Sequence, residues 1–191
     1  MPTQQTQHHI TSQIHLSPAQ PSEDGHRQYD AVLMGAGRVR QADGQPSKWL
    51  IPAETLRAAV HLFDGVPSYL DHPEMFGFGW RQSPSVKNLA GVILDPRWDE
   101  DEQAIAGTLR LYDQEPGSPG ALIGALYDQI LTDQTQGTET PQIGLSATIW
   151  HESHLDEETG LRVTDQIHKV DSVDHVYEAG ARGYIRAALS V

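Results

Sequence analysis

The 191-residue chain contains no cysteine. That absence excludes a disulfide framework, thiolate metal ligation and thiol nucleophilic catalysis together. Basic side chains are scarce: 13 Lys and Arg stand against 26 Asp and Glu, a formal net charge of −13 with the ten histidines neutral. No lysine- or arginine-rich stripe is present to displace counterions from DNA or RNA, so nucleic acid is not an expected partner. No apolar run approaches the roughly 18–20 residues of a membrane-spanning helix, so no membrane partner is expected either. The start MPTQQTQHHI lacks the basic-then-apolar order of a signal peptide. Apolar residues make up 38% of the chain, below the roughly 45–50% (counted with glycine) of soluble domains, which implies that part of it stays unpacked. These absences leave a soluble, acidic, intracellular protein of one domain and a tail.

Residues 1–28 are rich in Gln, Thr, Ser, His and Pro, with only Ile10, Ile14 and Leu16 as sizeable apolar groups. Such a stretch buries too little to repay its ordering entropy and is read as a mobile polar arm. Residues 29–191 are then the core-forming domain. Within them, residues 29–34, 49–51, 66–70, 86–94, 104–111, 142–150, 161–176 (with a break near Asp171) and 184–189 read as strands. Pro52 suits the first turn of a helix over residues 53–63, whose Leu56, Ala59, Val60 and Phe63 repeat at i, i+3, i+4 and i+7 before Gly65. A second helix is expected over residues 121–132, with Leu122, Leu126 and Ile130 at i+4 spacing beside Ile123 and Tyr127. Regular strand–helix alternation is missing. The order of elements predicts an α+β fold, a mainly antiparallel β-barrel with a few surrounding helices.

Several familiar signatures are incomplete. Gly35 and Gly37 could open a dinucleotide-binding G-x-G-x-x-G, but Arg40 stands where the third glycine belongs, so a turn or bulge is expected. The acids Asp99, Glu100, Asp101 and Glu102 lack EF-hand spacing and read as a solvated loop between two strands. His151-Glu152-Ser153-His154 is not H-E-x-x-H, and zinc there would need a third ligand such as Asp156. His8 and His9 likewise lack further ligands in view. No metal or cofactor is expected. Ser146 does not sit in a G-x-S-x-G elbow, because Thr148 occupies the final glycine position and no helix follows.

Three places hold reactive side chains in a suggestive setting. His72 stands at a strand end before Pro73, which fixes the loop and can present the imidazole at a defined angle, as a general base requires. Ser146 lies in Ile143-Gly144-Leu145-Ser146-Ala147, either as a hydrogen-bonded core serine or as a nucleophile on a rigid strand. The segment 167–176 places His168, Asp171 and Asp174 in a strand-like stretch. A serine nucleophile needs an imidazole to take its proton, and the imidazole needs a partner that fixes its tautomer. Taken singly, each has a bland reading: a solvated loop histidine, a core serine, a polar edge strand.

The order and spacing of Pro67-Ser68-Tyr69-Leu70-Asp71-His72-Pro73, Asn88-Leu89-Ala90-Gly91-Val92-Ile93, Ile143-Gly144-Leu145-Ser146-Ala147 and Asp171-Ser172-Val173-Asp174-His175-Val176 carry more. In that order the chain, from about Asp30 to Ile185, resembles the phage prohead (capsid maturation) proteases, whose fold and serine chemistry are shared with herpesvirus assemblins. The resemblance implies that His72 is the catalytic histidine and Ser146 the nucleophile. The family uses His, Asp or Glu as third member, for which Asp174 is the first choice and Asp171 the second, while His168 would echo the Ser-His-His arrangement of the herpesvirus enzymes. The chain departs from the pattern at Glu178-Ala179-Gly180, where many relatives have a Pro-Ala pair. The resemblance further implies a serine endopeptidase acting inside the prohead, in the host cytoplasm. Its substrates would be the scaffold protein, the scaffolding segment of the major capsid protein and its own termini. The sequence does not identify the oxyanion-binding N–H groups, for which Arg182-Gly183 in the loop after the last motif is only a candidate source, and a homodimer is compatible with the fold. The competing expectation is a non-catalytic capsid- or scaffold-binding module of the same architecture, with Ser146 a core serine. A metallohydrolase built on His151 and His154 is the third.

Overall fold

The computed structural model describes residues 25–40, 45–72, 75–76, 80–81, 85–141, 143–177 and 179–189. The expected arm, with His8 and His9, lies outside them except for residues 25–28. These last residues already belong to the fold: Arg27 pairs with Asp113 at 3.1 Å and Asp128 at 3.2 Å, and Gln28 opens the first strand.

Strand β1 (Gln28–Gly35) is an apolar run buried from Ala31 to Gly35. A strand apolar on both faces belongs inside a sheet rather than at its edge. It lies between β11 (Tyr184–Leu189) and β8 (Ala104–Leu111), and β7 (Leu89–Asp99) and the short β4 (Pro67–Tyr69) complete a five-stranded sheet in the order β11-β1-β8-β7-β4. The second sheet runs β2 (Gly37–Arg40), β3 (Pro46–Ile51), β10 (Leu161–Tyr177), β9 (Ile143–Asp156). All these pairings are antiparallel except β3 with β10. A two-stranded ribbon of β5 (Met75–Phe76) and β6 (Trp80–Arg81) stands apart.

No closed barrel is found among the described residues. Instead, two isolated bridges join the sheets at their edges. Leu70, just past β4, bridges His175 in β10, and Leu145 in β9 bridges Gly183, just before β11. Between the sheets lies one core that includes Tyr29, Leu33, Leu56, Phe63, Ile93, Leu109, Leu145 and Val173.

The first helix departs from expectation at its end. α1 covers only Ala53–Ala58, and Val60–Phe63 tightens into a 3-10 turn. The inward stripe survives, with Leu56, Ala59 and Phe63 all buried. The second helix, α2 (Pro119–Thr135), is longer than expected. Ser118 caps it by accepting from the Ala121 N–H at 3.2 Å, and Pro119 takes the position where a missing N–H costs least. Its buried face is Ile123, Tyr127 and Leu131, whereas Leu122 and Leu126 are exposed. Gly120 decides that phase: a Cβ there would stand 2.4 Å from the Tyr112 carbonyl and 2.6 Å from that of Ala90. The helix therefore docks backbone to backbone, glycine side inward.

The acidic connection is also corrected. β7 continues through Pro96, which the sheet accommodates at a register shift between Leu94 and Arg97. Asp99 and Glu102 are not merely solvated, since Arg186 of β11 pairs with Asp99 at 2.6 Å, Glu102 at 2.9 Å and Asp30 at 3.5 Å. The break expected near Asp171 is a bulge in β10 between Val170 and Ser172.

Candidate active site

β4 and β10 meet at the first of the two bridges, and there the chain presents His72. After Leu70 the backbone turns through Asp71, which takes the left-handed conformation (φ 62°) and donates its N–H to the His175 carbonyl at 3.1 Å. Aspartate tolerates this region better than most residues. The turn sends the half-exposed His72 back over β10, where its Nδ1 stands 2.8 Å from Oδ2 of Asp174.

Asp174 is fully buried, and a buried carboxylate needs donors. It has them: besides His72, the Ser172 hydroxyl donates to Oδ2 at 2.7 Å and the Tyr69 N–H to Oδ1 at 3.2 Å. Burial, then the charge of Asp174, raises the pKa of the Tyr69 phenol. With Nδ1 donating to Asp174, Nε2 is the ring nitrogen left to accept a proton.

Ser146 enters from β9. The register sets Ser146 opposite Asp174 and Thr148 opposite Ser172. Directly paired residues lie on one face of a sheet, so these four share a face. Strand alternation sends Leu145, Ala147 and Ile149 to the core side. The Thr148 hydroxyl is 3.5 Å from His72 Nδ1. No hydrogen bond joins Ser146 to the His72 ring among the described residues.

The second bridge flanks Ser146 on its other side. The Leu145 N–H donates to the Gly183 carbonyl at 2.9 Å. The contact is tight: a Cβ on Gly183 would lie 2.1 Å from the Leu145 oxygen, and one on Gly144 2.7 Å from the Gly183 oxygen. Arg182 adopts φ 58° and its guanidinium bonds the Ala36 carbonyl.

The other sequence candidates are engaged elsewhere. Asp171 accepts from the Trp150 indole N–H at 2.5 Å and pairs with Lys169 at 2.8 Å. His168 faces Glu152 at 3.3 Å. His151 stacks on Trp49 with centroids 4.8 Å apart, and His154 pairs with Asp165 at 2.7 Å. No group of three metal-ligating side chains converges among the described residues. Three participants escaped the sequence reading: Ser172, Thr148 and the Tyr69 N–H. The two side chains had a signal, because each stands two residues from a candidate on the same strand face.

No family model matches the chain, and no curated protein matches it. Among solved structures, the chain is similar to that of the bacteriophage T4 capsid assembly protease, gp21, with a TM-score of 0.54 and 17% identity over 85% of this chain and 90% of that one. The likeness spans most of both chains and is one of fold.

Proposed function

We propose that this protein is a serine endopeptidase of phage capsid maturation, with Ser146 as nucleophile, His72 as general base and Asp174 as the partner of His72. The observation that carries the reading is the 2.8 Å contact of His72 Nδ1 with a fully buried carboxylate on the strand residue paired with Ser146. A buried Asp that orients an imidazole over the strand pair that carries a serine supplies the parts that acyl transfer uses. The fold likeness to a capsid assembly protease supports the same reading. We read the two edge bridges as the near-closure of an assemblin-like barrel.

In this mechanism a peptide carbonyl settles over Ser146. The Nε2 of His72 takes the hydroxyl proton as Oγ attacks, and the imidazolium is stabilised by Asp174. The proton passes to the departing amine, and a water then repeats the sequence to release the acyl group. Backbone N–H groups around Arg182 and Gly183, on the loop pressed against the strand of Ser146, are the proposed oxyanion donors. No hydrogen bond joins His72 to Ser146 among the described residues, and this mechanism requires that contact to form when substrate binds. Catalytic hydrogen bonds often form or tighten only when substrate is bound.

The proposed substrates are the scaffold protein, the scaffolding segment of the major capsid protein and the termini of the protease itself, cleaved inside the prohead in the host cytoplasm. Co-expression with the capsid and scaffold proteins tests this directly. The wild-type chain should shorten both, and Ser146→Ala should leave both full length. Normal processing by Ser146→Ala overturns the assignment.

A further inference from the structure

The protein holds a second serine–histidine pair, and it is sealed in the core. His175 is 2% exposed, Ser68 0% and Tyr127 4%. The ring of His175 links the other two, with Nε2 3.2 Å from the Ser68 hydroxyl and Nδ1 2.6 Å from the Tyr127 hydroxyl. One residue comes from β4, one from β10 and one from α2. None can meet a substrate, and the mechanism above does not use them.

Three buried polar groups are costly where apolar ones would pack, unless each is satisfied and the network fixes something. Their position in the chain says what they fix. His175 follows Asp174, so the two side chains leave β10 on opposite faces, one toward His72 and one into the core. Ser68 precedes Tyr69, whose N–H holds Asp174. The His175 carbonyl accepts from Asp71, the residue before His72. β4 is only three residues long and pairs in its sheet with β7 alone. Among the described residues its other edge has one backbone bridge to β10, at Leu70, beside the bond from the Tyr69 N–H to the Asp174 carboxylate. A strand so weakly held on that side needs another tie.

We propose that the Ser68–His175–Tyr127 chain of hydrogen bonds is a positioning device that locks β4 to β10 and thereby sets the His72–Asp174 contact. It rests on the reading of that pair as part of the catalytic machinery. These are positioning residues, acting through backbone they hold and not on reacting atoms. Burial keeps the His175 ring neutral, with one nitrogen donating and the other accepting, so both hydroxyls are satisfied together.

Ser68→Ala and Tyr127→Phe each remove one hydroxyl and leave the rest of the core in place. In the full chain, two readouts are taken at a temperature well below unfolding. The first is phosphonylation of Ser146 by a fluorophosphonate probe, resolved into the maximal rate and the probe's binding constant. The second is the proton resonance of the His72 Nδ1–H, identified by its loss in Asp174→Asn. Both variants should lower the maximal rate roughly tenfold or more, as expected for a misplaced catalytic group, with the binding constant changed by less than about twofold. Both should also broaden or shift the His72 resonance. If the two variants merely unfold at lower temperature while rate and resonance stay as in the wild type, the network is structural and the proposal is wrong. If the wild-type protein is not phosphonylated at Ser146 at all, the protease reading fails, and the resonance still decides whether the network positions the pair.

Discussion

The carboxylate of Asp174 gathers three donors from two stretches of chain: the His72 ring and the Tyr69 N–H from one, and the Ser172 hydroxyl from its own strand. A residue so placed sets the tautomer of His72 as well as its orientation. Asp174→Asn preserves shape but reverses that logic, since an amide N–H would face the ring and force the proton to the wrong nitrogen. Catalysis should fall by about 10³–10⁴-fold, read as the rate of fluorophosphonate labelling or of substrate cleavage. Wild-type rates in Asp174→Asn, with the loss appearing in Asp171→Asn instead, would show that the third member was misassigned. His175, next along the strand, makes a different prediction. Burial lowers its pKa from 6.5 to about 3. The unfolded chain therefore binds that proton first on acidification. Stability from this group is fully present above about pH 6.5 and is lost as pH falls from there toward 3, with a slope of up to about 1.4 kcal/mol per pH unit. Chemical unfolding between pH 7 and 5, above the range where most carboxylates titrate, should show the decline. A flat profile there would mean that water reaches His175 in the folded state.

At the level of elements, the site is made where strands of different sheets touch. β4 and β10 bring His72 to Asp174, and β9 with the loop before β11 brings Leu145, the neighbour of Ser146, against Gly183. Gly183→Ala tests the second contact. The added methyl would fall 2.1 Å from the Leu145 oxygen, which is backbone and cannot rotate away. The loop must lift from the strand of Ser146. Thermal unfolding should show a loss of about 1–3 kcal/mol, with slower labelling of Ser146. Unchanged stability and labelling would show that the seam tolerates movement. Much of this scaffold was legible in the sequence. Apolar runs marked the strands, and the break expected near Asp171 is a bulge. The phase of α2 was not legible. Leu122–Leu126 and Ile123–Tyr127 are equally apolar ridges, and only the backbone contact at Gly120 chooses between them. The resemblance put Asp174 before Asp171, but local pattern alone did not separate them. Both lie in the C-terminal half of β10, and the bulge between Val170 and Ser172 separates the one that faces His72 from the one that meets Trp150.

Across the whole molecule, the likeness to a capsid assembly protease is one of fold, at 17% identity. The sequence carries four short motifs in order, and the first and last meet across a long separation: His72 and Asp174 are 102 positions apart. No local pattern reports such a contact, which is why motif order had to stand in for geometry. The acidic balance, −13 overall, is partly spent inside the fold, where Asp30, Asp99 and Glu102 tie the last strand through Arg186. The histidines of segment 151–154 are engaged with Trp49 and Asp165, so activity should be indifferent to EDTA. Loss on chelation with recovery on added zinc would point to metal-dependent chemistry instead. The most direct measurement is fluorophosphonate labelling followed by mass-spectrometric mapping of the modified residue. The expected result is a single modification on Ser146, with Thr148 untouched, that disappears in His72→Ala. Labelling at another residue, or labelling of Ser146 that persists without His72, would contradict the assignment of this site.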